Sequence, residues 1–394
     1  MSEPFAITGA YAAGGTNAEI YENGRHVVAV DATNPSVVFH NTRNGTDGPA
    51  FTVKTALWAS PSLSFGPAPI DYRVMTWPGG SDAGKRSPAI AAGSYLESQS
   101  KAVNGLAAGN LLMTRHHEIY ASPPAFWLGN ELTIYAGDEV GEVGNGLTDR
   151  VDTYGDYGHG VYSYPAGGYQ QYSGPSLVLG DSTTRKARIA ILNDSIGMGS
   201  GEGAGGLWVG WPQRALQANY PWYLLGNQGY ALATLMNSGT EKARRLALLD
   251  LAGITHVLVQ TITNDLGAGA TATSFMASVD ALATMMAALP LQPQLILTTS
   301  TPRTNAANNA QATTDGAGVW ANRLALNDAI RAQTKYACLD VAAYAQDSSN
   351  PNIWDTVGGK GTADGIHPVL TTHQAIAAGV ATELAAALSV DRYA

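Results

Sequence analysis

The chain has 394 residues, 45% hydrophobic and 13% charged, with 45 Gly, 19 Pro and a single Cys. At ~100–200 residues per domain that is a loop-rich chain of two domains, each large enough to bury a core without help. Twenty-two Lys plus Arg against 31 Asp plus Glu leave a net charge of −9 with no basic run, which disfavours nucleic acid and anionic membranes as main partners; one cysteine excludes a disulfide framework and a Cys-based zinc site.

In chain order, Met1–Thr8 carries an acid where a secretory leader is basic and lacks a long apolar core, so it does not read as a signal peptide. The low charge and abundant Gly, Thr, Asn and Ala also suit an exported protein. From about residue 18 to 180, short β-prone runs separated by Gly, Pro and Asn occur at Arg25–Val30, Ser36–His40, Phe51–Thr55, Tyr72–Trp77, Glu131–Tyr135 and Ser176–Leu179. Their spacing predicts an all-β domain, a sandwich or jelly roll or a barrel-like fold, over residues 1–185. Within it, the run Arg115–Glu118 holds two adjacent histidines. Neighbours on a strand point to opposite faces, so a shared metal ion is not expected. The acidic, Gly-interleaved stretch Asp138–Asp156 lacks EF-hand spacing and reads as a solvated loop. Tyr154, Tyr157, Tyr162, Tyr164, Tyr169 and Tyr172 read either as β-domain core or as an aromatic platform for sugar rings.

After about residue 186 the texture changes. Apolar runs at Arg188–Leu192, Trp222–Leu225, Thr255–Thr261, Gln294–Thr298 and Tyr336–Val341 alternate with helical segments near Pro212–Asn219, Thr240–Ala252, Thr273–Ala288, Val319–Gln333 and Thr372–Leu388. In the last of these, Ile376, Val380, Leu384 and Leu388 recur every four residues and share one face. The longest apolar stretches, such as Ala281–Pro290, fall short of the ~20 residues that cross a bilayer. Cys338 reads as a small core residue in a buried strand. This alternation predicts an α/β domain over residues 186–394, with a parallel sheet covered on both faces. Function in such sheets sits in the loops leaving the carboxyl ends of the strands.

Three of those loops carry chemistry. The first strand exits into Asn193-Asp194-Ser195, a Gly-rich turn in which a serine hydroxyl can be exposed beside backbone N–H groups. Taken alone, Ser195 reads more readily as a helix cap. The third strand exits past Asn264 and Asp265; the Asn amide suits an oxyanion donor, and equally an Asx turn. Before the final helix, Asp364 and His367 stand three residues apart, a spacing at which the carboxylate can fix the imidazole tautomer. Together the three loops put a nucleophile, an oxyanion donor and an Asp–His pair at one end of one sheet.

With these blocks in this order, residues 187–392 resemble the SGNH hydrolase superfamily, the GDSL esterases. The resemblance implies a flavodoxin-like three-layer α/β/α domain with a five-stranded parallel sheet. It implies Ser195 as nucleophile, His367 as general base and then acid, and Asp364 as its orienting partner. It implies an oxyanion hole from the Ser195 N–H, Asn264 and a glycine of the second block, Gly229 in preference to Gly226. Two positions depart from the family pattern: Asn193 and Ile262 stand where glycines are usual, from which an altered loop or pocket shape is expected. The literal triplet Gly180-Asp181-Ser182 is followed almost directly by a strand, so Ser182 reads as an interdomain turn, and no G-x-S-x-G elbow is present.

The expected activity is therefore ester hydrolysis through an acyl-enzyme, with carbohydrate O-acetyl groups as the preferred substrate class and neither metal nor organic cofactor required. The same residues would serve a lipase, a thioesterase or a polysaccharide O-acetyltransferase. A non-catalytic glycan-binding surface protein, with function in the β-domain, is the competing reading.

Overall fold

The computed structural model describes residues 186–389 except 203–208, 217–218, 227–228, 238, 313–314 and 316–317. Of the preceding half it describes 9–12, 19–28, 31–60, 70–77, 88–120, 126–129, 142–144 and 177–182, apart from 41, 44–45, 48–49, 92–93 and 108–109. The chain divides into two compact units, Met1–Lys186 with Ala218–Tyr223, and Ala187–Gln217 with Leu224–Ala394.

The first unit is built of antiparallel strands. One sheet runs in the order Glu142–Gly144, Glu19–Val27, Leu111–Tyr120, Phe51–Ser60, Ile70–Val74, with Ala89–Ile90 also pairing Phe51–Ser60. A second runs Leu177–Asp181, Thr33–His40, Tyr95–Glu97. One apolar cluster draws Val37, Phe39 and Val178 from the second sheet and Phe51, Val53, Leu57, Leu112 and Tyr120 from the first, which makes the unit a sandwich with a shared core. Arg115, His116, His117 and Glu118 are all buried, with His116 against the Phe39 ring and Arg115 over the Trp58 ring. The expected strand at Glu131–Tyr135 and the six tyrosines lie outside the described residues, as does the acidic stretch apart from Glu142–Gly144.

The second unit is a three-layer α/β/α domain. Its five-stranded parallel sheet runs Trp222–Leu224, of which Leu224 falls within this unit, then Ile189–Asn193, His256–Gln260, Gln294–Thr298, Ala337–Leu339, with Ile189 opposite His256 and His256 opposite Gln294. Every residue of Ile189–Asn193 and His256–Gln260 is buried, as strands covered on both faces require. Trp211–Leu216 packs on the final helix Leu370–Leu388, and Ala272–Ala287 packs on Val319–Ala332. The final helix buries Ile376, Val380, Leu384 and Leu388 along one face, and Thr271 opens Ala272–Ala287 with a reciprocal side-chain cap to Ser274. Cys338 departs from expectation. It is half-buried on the edge strand rather than in the core, and burial pushes its thiol up to about 11. No described helix is long and apolar enough to cross a membrane.

In strand order along the chain the sheet is 2-1-3-4-5, so the connection reverses direction between the first and third strands. Clefts in doubly wound sheets open at such a switch point.

Candidate active site

At that switch point the first strand delivers Ser195 on a tight turn. Asp194 Oδ1 accepts hydrogen bonds from the backbone N–H of Ile196 at 2.9 Å and Gly197 at 3.4 Å, a local carboxylate cap that bends the chain sharply. Met198 N donates to Asp194 O and Ser200 N to Ser195 O, closing the turn around the serine. Asp194 itself is fully buried.

The loop before the final helix supplies the imidazole. Asp364 Oδ1 accepts from the backbone N–H of Ile366 at 2.9 Å and His367 at 2.8 Å, while Oδ2 lies 2.6 Å from His367 Nδ1. Thr362 Oγ donates to His367 O, and Trp354 Nε1 donates to Gly365 O, so the loop is fastened at both ends. Partial burial raises the Asp364 carboxyl, but hydrogen bonds from the His367 ring, His367 N and Ile366 N outweigh it and hold the group well below the usual carboxylate range. An ionised carboxylate at Nδ1 fixes that nitrogen as the protonated one. Nε2 is then the acceptor, and it lies 2.8 Å from Ser195 Oγ. Ser195 is 8% exposed and the Asp364 side chain 53%. The relay thus runs from a nearly buried hydroxyl outward to a half-exposed acid.

Asn264 lies in the first turn of the short helix Ile262–Gly267, and its Nδ2 donates to Tyr230 O at 3.0 Å. That bond uses one of its two amide hydrogens. The adjacent Asp265 accepts from Leu232 N at 2.8 Å and Ala233 N at 3.0 Å, capping the helix Leu232–Asn237. Burial pushes the Asp265 carboxyl up to about 6 against these hydrogen bonds. The Asn-Asp doublet therefore stitches the third-strand exit to the loop that carries Gly229.

The two candidate glycines differ. Gly226 N donates to Asn193 Oδ1 at 3.0 Å, and a Cβ there would lie 1.6 Å from Asn193 O. Gly229 has φ of +71° and open space around its Cβ position. Among the described residues neither its N–H nor that of Ser195 has a partner. Asn193, expected from the sequence only to alter the loop, engages the Gly226 N–H with its own side chain.

Ser182 stands apart from these residues in the chain, donating to Asp31 O at 2.7 Å in the β-rich unit. Among the described residues no group of three or more His, Cys, Asp or Glu is placed to hold a metal ion. Three supporting residues escaped the sequence reading: Gln260 and His373, described below, and Arg303. The guanidinium of Arg303 pairs with buried Asp315 and donates to Thr263 O at 2.9 Å, beside Asn264.

The 2-1-3-4-5 parallel sheet, the serine after its first strand, the Asn-Asp doublet after its third and the Asp–His loop before its last helix stand together in one unit. This is the three-layer α/β/α arrangement, with its five-stranded parallel sheet, that was expected for the second half of the chain. No family model and no curated protein matches the chain. Among solved structures, a proposed arylesterase from Agrobacterium tumefaciens is 16% identical, covering 51% of this chain and 100% of its own, with a TM-score of 0.40. A GDSL-like lipase from Bacteroides thetaiotaomicron is 13% identical over 51% of this chain and 89% of its own, at 0.35. A proposed GDSL-like lipase from Parabacteroides merdae is 14% identical over 51% and 97%, at 0.37.

Proposed function

We propose that the chain is a serine esterase that cleaves carboxylic esters through an acyl-enzyme. The observation that carries the reading is the continuous relay Ser195 Oγ, His367 Nε2, His367 Nδ1, Asp364 Oδ2, with contacts of 2.8 and 2.6 Å. Ser195 Oγ attacks the ester carbonyl while His367 Nε2 takes its proton. Asp364 stabilises the imidazolium without being protonated itself. The alkoxide leaves with the proton from His367. Water, deprotonated by the same nitrogen, then releases the acid and restores Ser195.

The negative oxygen of each tetrahedral intermediate is received by the Ser195 N–H, the Gly229 N–H and the second Asn264 amide hydrogen. The Gly226 N–H is spoken for by Asn193, which favours Gly229 in this role. Within the esters, the reading extends to O-acetyl groups on carbohydrate. Its support is the resemblance of residues 187–392 to a superfamily rich in such enzymes, together with the β-sandwich unit in the same chain.

Turnover of p-nitrophenyl acetate and of longer-chain esters by wild type, Ser195→Ala and Ser182→Ala tests both levels. Loss in Ser195→Ala alone, with acetate preferred and acetylated sugars deacetylated, supports the whole reading. Preference for long acyl chains moves it to a lipase. An inert wild type that binds glycans removes the enzyme reading altogether.

A further inference from the structure

We propose that Gln260 is a positioning residue for the nucleophile turn: from the end of the central strand its amide grips both the carboxylate and the main chain of Asp194, setting the direction in which Ser195 leaves its strand. The inference rests on the esterase reading for its catalytic consequence. The contact itself stands independently of any substrate.

Gln260 is the last residue of the third strand and lies in register beside Asn193, the last residue of the first. Its Nε2 donates to Asp194 Oδ1 at 3.0 Å, and its Oε1 accepts from Asp194 N at 3.4 Å. Two bonds from one planar amide to one residue fix the rotation of that residue as well as its place. The amide also lies close against the turn: a Cβ on Gly197 would lie 2.1 Å from Gln260 Oε1, so a glycine there is the counterpart of the glutamine. Gln260 is 7% exposed and makes no bond to Ser195 or His367, which separates it from the reacting atoms.

Asp194 needs such a partner. It is fully buried, its Oδ1 takes all three donors, and its Oδ2 is buried without one. A carboxylate so placed carries a large desolvation cost. Burial pushes the group up to about 6, and foremost among the opposing influences is the Gln260 hydrogen bond, ahead of the backbone N–H groups of Gly197 and Ile196. His367 is the one ionisable group whose charge also lowers it. The Gln260 amide meets both requirements at once, one donor for the carboxylate and one acceptor for the N–H. A hydrocarbon side chain supplies neither, and an ionised carboxylate supplies no donor.

The test uses the full chain with Gln260→Met and Gln260→Glu, following Asp194 by carboxyl-carbon NMR through pH and p-nitrophenyl acetate by steady-state kinetics. In Gln260→Met the Asp194 midpoint should rise by about one pH unit and kcat fall about ten- to a hundredfold with KM within about twofold, as for a lost hydrogen bond to a charged group. Gln260→Glu should lose activity as pH rises and recover part of it where the two carboxyls share a proton. A purely structural role predicts a lower melting temperature with the Asp194 midpoint and the pH profile in place, and that result overturns the proposal. If Gln260→Met does not fold, the opposite pH response of Gln260→Glu decides. If wild type shows no Ser195-dependent turnover, the esterase reading fails, while the Asp194 midpoint still decides the contact.

Discussion

His367 Nε2 lies 2.8 Å from Ser195 Oγ although the two residues are 172 positions apart. The contact depends on the ring being held from its other side, where Nδ1 meets Asp364 Oδ2. Asp364→Asn would keep an oxygen for the backbone N–H groups of Ile366 and His367 but no longer present an anion to Nδ1. The wrong tautomer then faces the serine, and kcat should drop about 10⁴-fold with KM nearly unchanged. Steady-state kinetics on p-nitrophenyl acetate checks it; a loss of less than tenfold would detach Asp364 from the relay.

Asn264→Ala removes the side-chain donor assigned to the oxyanion while leaving the turn that carries it. An oxyanion donor of this kind contributes on the order of 10²–10³ in kcat. Because Asn264 Nδ2 also holds Tyr230 O, the melting temperature should fall slightly as well. Wild-type kcat in this variant would take Asn264 out of the site.

The parts of the fold legible in the sequence are those that repeat. The final helix announces itself through Ile376, Val380, Leu384 and Leu388, and the buried strands through apolar runs such as Ile189–Leu192 and Val257–Val259. Leu232–Asn237, Ile262–Gly267 and Val341–Ala345 are too short for a period to show. The first of them is capped by Asp265 from 33 residues away, a partner that no local pattern names. The site divides in the same way. Asp364 and His367 sit in one compact turn, so their spacing is informative. Gln260, at the end of an apolar strand, looks like an ordinary strand terminus until its register with Asn193 is known. Arg115–Glu118 shows the reverse limit: four polar residues in a row are all buried, because this strand has packed rings on both faces.

Arg303 and Asp315 form a buried ion pair whose cation also holds Thr263 O, next to Asn264. Removing the anion leaves the guanidinium uncompensated in the interior. Asp315→Ala should therefore lower unfolding stability by about 3–5 kcal/mol, measured by chemical denaturation. A cost below about 1 kcal/mol would show that the pair is not held as described.

Ser182→Ala should leave kcat and KM at wild-type values. Its hydroxyl donates to Asp31 O within the β-rich unit, so only a small change in the stability of that unit is expected, about 1 kcal/mol for one hydrogen bond. Loss of turnover would return the literal Gly-Asp-Ser triplet to consideration as the nucleophile.

His373 gives the protein an acid-sensitive element behind the serine turn. It is fully buried on the final helix, accepting from Trp211 N at its Nδ1 and facing Ser200 O with its Nε2. Burial, opposed by the Ser200 carbonyl and reinforced by the charges of Arg214 and His367, pushes it down to about 3 from 6.5. The unfolded chain therefore takes a proton below pH 6.5 that the folded one refuses until about 3, and stability falls as the pH drops through that window. Asp194 and Asp265 act oppositely: raised from 3.8 to about 6, they bind protons more tightly when folded, and add stability as pH falls from 6 towards 3.8. The wild-type curve is thus flattened by opposed contributions, and the separation comes from a variant. Unfolding free energy of wild type minus that of His373→Asn should decrease by about 3 kcal/mol between pH 7 and pH 4. Parallel curves over that range would mean that His373 titrates alike in both states, and that its burial among Trp211 and Ser200 is not what keeps it neutral.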